Sequence, residues 1–290
     1  MLARPFLFAT LILWVFCSSA GDLEFDLWAE ELFNAMERGP IDGVSSIVPE
    51  INLQMAKKLQ RSFVSIELEN KTIGGYKAGF TNPLSQNKWG LSGPVSGVLF
   101  SEGKKRVPVR VDLESFRKLM LEIEIGFQIK REILQKVGSI EDLIPYIDSV
   151  LPVIELPDLQ FTSLESLTAV DLVATNIASS MWVVGKSSPI STGQALGELV
   201  VSLSINGETI DSGNSSNAMG DPLKALLWLV NDRIATGWPI KPGQTLITGT
   251  LGRINAAKVG CYIGDYGSLG KIELEVYDSS VNATPCLVQP

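Results

Sequence analysis

Four ionisable side chains stand out in a chain of 290 residues that contains no histidine. Glu122 and Glu124 lie in Leu121-Glu122-Ile123-Glu124-Ile125-Gly126-Phe127, where acidic and apolar residues alternate. Successive side chains of a β-strand point to opposite faces. The two carboxylates therefore project from one face about 7 Å apart, while Leu121, Ile123, Ile125 and Phe127 pack on the other. The ordinary outcome of such alternation is a half-buried strand with a wetted acidic face. Glu155 shifts the balance, because it lies in the apolar stretch Val150-Leu151-Pro152-Val153-Ile154-Glu155-Leu156-Pro157. An unpaired carboxylate buried there is costly or takes up a proton, and a bound cation removes that cost. Three carboxylates with no imidazole and no nearby thiol make a hard oxygen site, which favours Mg2+ or Mn2+ over zinc or copper.

The fourth group is Lys77, in Gly74-Gly75-Tyr76-Lys77-Ala78-Gly79-Phe80-Thr81-Asn82-Pro83. Glycines flanking a lone lysine point to tight backbone geometry and close approach of a ligand, with the amine available for proton transfer if desolvation lowers its pKa. A lysine taken alone is most often a surface group. The missing histidine removes the Ser-His-Asp triad, the Cys-His dyad and His-containing zinc sites. Acid-base work falls to Asp, Glu, Lys, Tyr or water.

These groups can converge only if strands carry them. Residues 22–70 have a helical pattern, with Leu27, Trp28, Leu32, Phe33 and Met36 at three- and four-residue spacing, a stop at Gly39-Pro40, and a second helix over about 52–63. Beyond Gly75 the pattern predicts strands over 107–111, 121–129, 195–205 and 271–277, with a hairpin turn at Asn206-Gly207. Ser139 and Asp142 resemble a capping box opening a helix to about Val150, and Asp221-Pro222 caps a helix over 223–234. Strands and helices do not alternate as βαβ units, so the fold class is α+β, with a helical N-terminal portion and a curled mixed β-sheet. The expected organisation is a signal segment at 1–20, a helical portion at 21–75 and a β-rich core at 76–290, with 21–290 forming one domain.

At 45% hydrophobic and 19% charged residues the chain reads as a folded protein able to bury a full-sized core. Its net charge of −8 argues against a nucleic-acid partner, which needs a cationic surface. Arg4, an apolar run from Phe6 to Phe16 broken only by Thr10, and Ser18-Ser19-Ala20 form a secretory signal with a cut expected before Gly21. The run is too short to span a bilayer, so the mature protein is expected to be exported, periplasmic or secreted, with no stable membrane anchor. Cys261 and Cys286 then remain in an oxidising compartment, where a bridge requires their Cα atoms within about 7 Å. Sequons at Asn70, Asn214 and Asn282 matter only where glycosylation machinery exists.

Six segments occur in a telling order. They are Gly75-Tyr76-Lys77-x-Gly79-x-Thr81, Glu122-x-Glu124, Val150-Leu151-Pro152-x-x-Glu155, Asp171-x-Val173-Ala174-x-Asn176, Pro222-Leu223 with Trp228-Leu229, and Ile247-Thr248-Gly249-Thr250-Leu251-Gly252. The set resembles the 2-keto-4-pentenoate hydratase and 4-oxalocrotonate decarboxylase family, within the fumarylacetoacetate hydrolase superfamily, over residues 26–280. The resemblance implies a rolled mixed sheet, Mg2+ or Mn2+ held by Glu122, Glu124 and Glu155, Lys77 as catalytic lysine, and Thr248 and Gly249 lining the pocket near a substrate carboxylate. It implies a small-molecule unsaturated 2-oxo acid as substrate, a homo-oligomer, and a place in aromatic compound degradation.

The activity it implies first is a lyase of the hydratase type, acting on 2-hydroxy-2,4-dienoates through an enolate. A 4-oxalocrotonate-type decarboxylase, or a catalytically impaired exported protein that binds metal and an oxo acid, are the alternatives. They arise because the family's Pro-Asp-aromatic-Gly reads Pro94-Val95-Ser96-Gly97 here. Asp221 stands where a histidine commonly precedes the proline, and Thr175 where an aspartate precedes Asn176.

Overall fold

The computed structural model describes residues 21–190, 196–281 and 286. The expected signal segment and the sequon at Asn282 lie outside them. Helices α1 (Gly21–Arg38), α2 (Val44–Ile47) and α3 (Leu53–Glu67) open the chain, followed by β1 (Ile73–Gly79), α4 (Pro83–Lys88), β2 (Val95–Phe100), β3 (Lys104–Arg106), β4 (Val109–Asp112) and β5 (Met120–Ile129). Next come α5 (Ile140–Leu143), β6 (Ile147–Leu156), α6 (Ala169–Ala174), β7 (Met181–Val184) and β8 (Ser188–Pro189). The order closes with β9 (Val200–Ile205), β10 (Glu208–Asn214), α7 (Pro222–Ala235), β11 (Thr245–Ile247), β12 (Asn255–Ala256), β13 (Gly260–Asp265) and β14 (Lys271–Tyr277).

The described residues divide into two compact units, the first formed by 21–69 together with 161–175, the second by those of 70–160 and from 176 onward. Where sequence reading expected one domain with a change of character at residue 75, the helical portion ends sooner and takes in a later segment. The cause lies in α6, whose Leu172, Val173 and Ala174 are buried and which packs on α3. In this first unit Asn52 caps α3 by accepting from the amides of Gln54 and Met55. Phe33 of α1 meets Phe63 of α3 with ring centroids 6.2 Å apart. The buried Asp171 closes a capping box with Thr168 and also accepts from Ser45 N (2.7 Å) and Ser45 Oγ (2.9 Å).

The second unit holds the sheets. Among the described residues nine strands form the larger one, in the order β2-β1-β11-β5-β6-β7-β3, with β12 paired to β5 and β8 to β6. The smaller runs β10-β9-β13-β14-β4. Both mix parallel and antiparallel neighbours, as expected of the curled mixed sheet. The sheets pack on each other, Tyr266 donating its hydroxyl proton to the carbonyl of Val153 on β6. Leu99, Leu151, Val153, Trp182, Val184 and Ile247 form a buried cluster on one face of the larger sheet.

Most predicted elements recur within a few residues, including the Asn206-Gly207 turn, which takes the positive φ values of 51° and 87° that such a hairpin needs. Two differ. The helix opened by Ser139 stops at Leu143 and gives way to a tight turn at 144–146 and then β6, because Pro145 lacks the amide proton a continuing helix needs. The strand expected from residue 195 begins at Val200 after a tight turn over Leu196–Glu198, residue 195 itself lying outside the described residues. Cys261 and Cys286 are joined as a disulfide, their Cα atoms 6.2 Å apart.

Candidate metal centre

Strands β5 and β6 run antiparallel in a register that sets Glu122 directly opposite Glu155 and Glu124 opposite Val153. Partners across a ladder share a face, so all three carboxylates stand on one side of the sheet, and Leu121, Ile123, Ile125 and Phe127 are fully buried on the other. One oxygen from each of the three lies within 4.8 Å of the other two. Glu155 and Glu124 are 0% and 1% exposed, and Glu122 is half-buried.

Lys77 joins them from β1, where it pairs with Gly97 on one side and Ile247 on the other. Its Nζ donates to Glu155 Oε1 and, at 3.1 Å, to the carbonyl of Ile177. The remaining oxygen of Glu155, Oε2, is buried and has no hydrogen-bond partner. Glu124 Oε2 accepts from the backbone amide of Gly249 at 2.8 Å. Gly249 sits at φ +92°, in the left-handed region, and a Cβ there would collide with the side chain of Thr81. Thr248 directs its hydroxyl to the carbonyl of Ile125 at 3.0 Å. The structure thus brings Lys77, the three glutamates and Gly249 into contact, and turns Thr248 toward the backbone of β5.

The electrostatics are those of a site short of positive charge. Burial, and then the charge of Glu155, pushes the Glu122 carboxyl up to about 7. Burial followed by the charges of Glu155 and Glu122 holds Glu124 well above the usual carboxylate range, with Lys77 and the Gly249 amide opposing. For Lys77 the direction is opposite to the one sequence reading relied on. Burial would lower it, but Glu155, Glu122 and Glu124 together outweigh burial and hold the ammonium above its ordinary value. Two buried acids and a half-buried one against one ammonium, all-oxygen donors and an unpartnered Glu155 oxygen fit a divalent hard cation.

Two residues of this centre were absent from the sequence reading of the site. Ile177 supplies an acceptor to Lys77, and Asn176, part of a quoted motif but given no role, binds β2 through its side chain. The one available signal was an asparagine just past a helix, a position that tolerates left-handed backbone. Val95 is 1% exposed and pairs with Gly79 on the face that bears Lys77.

No protein-family model matches the chain. Its fold is that of 4-oxalocrotonate decarboxylase from Pseudomonas putida G7 complexed with magnesium and adipate, with a TM-score of 0.80 at 22% identity over 90% of this chain and 99% of that one. Fumarylpyruvate hydrolase from Pseudomonas aeruginosa, in complex with Mn2+ and pyruvate, shares it more distantly, with a TM-score of 0.54 at 16% identity over 70% of this chain and 88% of that one. Fold and acidic triad together define a mixed-sheet protein with a candidate site for a divalent metal. In sequence the chain is 28% identical to 2-keto-4-pentenoate hydratase of Paraburkholderia xenovorans over 248 residues, 83% of this chain and 91% of that protein. It is 24% identical to 2-oxo-hept-4-ene-1,7-dioate hydratase of Escherichia coli over 81% of this chain and 91% of that one. The chain is thus similar in sequence to 2-keto-4-pentenoate hydratases and in fold to 4-oxalocrotonate decarboxylase.

Proposed function

We propose that this protein is a divalent-metal-dependent hydratase that adds water to 2-hydroxy-2,4-dienoates by way of an enolate. The observation that carries the reading is the convergence of Glu122, Glu124 and Glu155 with Lys77 in one buried site, in a chain aligned with hydratases over most of its length. Glu122, Glu124 and Glu155 would hold Mg2+ or Mn2+. When bound, such an ion polarises the substrate's 2-oxygen and offsets charge developing there.

The chain's own groups do the rest. Glu155 and the Ile177 carbonyl engage two of the three ammonium protons of Lys77, leaving one to present to substrate. Lys77 Nζ therefore holds the proton delivered to carbon during ketonisation. The Gly249 amide fixes the orientation of Glu124; a place for Thr248 and Gly249 beside a substrate carboxylate rests on the family resemblance.

Purified protein supplied with Mg2+ or Mn2+ should deplete 2-hydroxypenta-2,4-dienoate and form the hydrated 2-oxo acid. Turnover of oxalocrotonate with release of carbon dioxide, and none of the dienoate, would replace this reading with decarboxylation. The buried Val95 favours that second reading, since the position where the family resemblance leads one to expect an aspartate offers no group to activate water. Metal and oxo-acid binding without turnover of either would leave the impaired-homologue reading.

The proposal extends to export, supported by the signal-like residues 1–20 and compatible with the Cys261–Cys286 bridge. No helix among the described residues is long and apolar enough to cross a membrane. A homo-oligomer and a role in breaking down aromatic compounds rest on the family resemblance.

A further inference from the structure

Lys77 is held from two sides, and the second hold is unusual. The carbonyl that accepts from its Nζ belongs to Ile177, the middle residue of three consecutive left-handed residues, Asn176, Ile177 and Ala178, with φ of 56°, 52° and 50°. None is glycine. A β-branched residue in this region is an outlier, and a run of them persists only where the surroundings over-determine it.

The surroundings here are specific. Asn176 is 1% exposed, and its Oδ1 accepts from Val98 N at 2.8 Å while its Nδ2 donates to Val98 O at 2.9 Å. One side-chain amide thus supplies both bonds that a neighbouring strand would make with β2. At the other end of the turn the carbonyl of Ala178 accepts from Asp158 N at 3.0 Å. Gly97 leaves room between turn and lysine: a Cβ there would lie 3.1 Å from Asn176 O and Oδ1 and 3.2 Å from Lys77 Cγ.

We propose that Asn176 is a positioning residue that locks the left-handed turn 176–178 so that the Ile177 carbonyl aims the Lys77 ammonium. Its kinetic consequence rests on the hydratase reading above; its effect on Lys77 does not. Locked this way, the amine keeps one orientation on its long flexible stem, with two protons held and the third left to present to substrate.

The test uses full-length protein loaded with Mn2+. Asn176→Gly keeps left-handed backbone accessible and removes both side-chain bonds, whereas Asn176→Asp keeps the acceptor and loses the donor. Two readouts are taken: turnover of 2-hydroxypenta-2,4-dienoate, and acetylation of Lys77 by acetic anhydride followed by mass spectrometry of its peptide. For Asn176→Gly, kcat should fall on the order of tenfold to hundredfold, the loss expected of a misplaced catalytic group. KM and Mn2+ affinity should stay within about twofold, because the substrate's other contacts are untouched. Lys77 should be acetylated faster than in the wild type, and Asn176→Asp should lie between the two.

A folded Asn176→Gly protein with wild-type kcat and wild-type acetylation overturns the proposal. So does a parallel loss of kcat, substrate affinity and Mn2+ affinity, or failure of both variants to fold, since each marks a structural role. If the wild type does not turn over the dienoate, the hydratase reading falls alone. The acetylation rates then decide on Asn176: faster labelling supports it and unchanged labelling refutes it.

Discussion

Glu122 and Glu155 face each other directly across the β5–β6 ladder, two acids in a pairing where like charges weaken a sheet. Glu124 follows one pleat along the same face, and among the described residues Lys77 brings the compensating charge. A sheet built this way is at its best with a cation among the carboxylates.

Stability without metal should therefore fall as pH rises. The folded-state pKa of Glu122 is raised from 4.5 to about 7, and that of Glu124 is raised as well. An acid with a raised folded pKa stabilises the fold fully below its unfolded pKa and loses that contribution as pH climbs through the folded value. The window is thus 4.5 to about 7. EDTA-treated protein should show a lower Tm at about pH 8 than at about pH 5.5, and Glu122→Gln with Glu124→Gln should flatten the trend. Mg2+ or Mn2+ should raise Tm more at the higher pH. A metal-free Tm independent of pH across this window, in wild type and variant alike, would contradict the electrostatic account.

Glu124→Ala removes one oxygen donor and strands the Gly249 amide. Calorimetric titration should show Mn2+ or Mg2+ affinity reduced by at least about tenfold, the smallest loss usual when even outer groups of a metal site are removed. Undiminished affinity would mean that other side chains hold the ion.

Val95→Asp should restore a proton-transfer group beside Lys77 and raise dienoate hydration by at least about tenfold, a floor below the 10² to 10⁴ typical of general acid-base assistance. Val95 is buried next to Ile177 over Gly79, so the carboxylate also carries a desolvation cost. Tm and rate must be measured together. A stable, metal-binding variant with no gain would rule out hydration limited by this position.

Export makes a simple mass prediction. Protein recovered from its native compartment should begin at or near Gly21, and a chain still starting at Met1 and held in a membrane would refute the signal reading.

Legibility in the sequence followed the range of the forces involved. Alternation over 121–127 is local, so strand, face and paired glutamates could all be read from it. Glu155 could be singled out because its neighbours are apolar, whatever the strand register. The helix expected through residue 150 failed on a local rule overlooked at Pro145. The turn at 176–178 was illegible for a different reason. Its backbone is sustained by Val98, 78 residues away, and no neighbouring residue type announces three left-handed residues. The direction of the Lys77 shift was likewise hidden, because it depends on carboxylates delivered by two other strands.

The amide of Asn176 has an effect unrelated to chemistry. Strand β2 lies at one end of the larger sheet, and Val98, near its middle, carries an amide and a carbonyl that an incoming strand from another molecule would have to capture. Both are already taken. The sheet is closed to edge-to-edge growth at that point by a single side chain, a guard against aggregation that needs neither a charged edge nor a bulge.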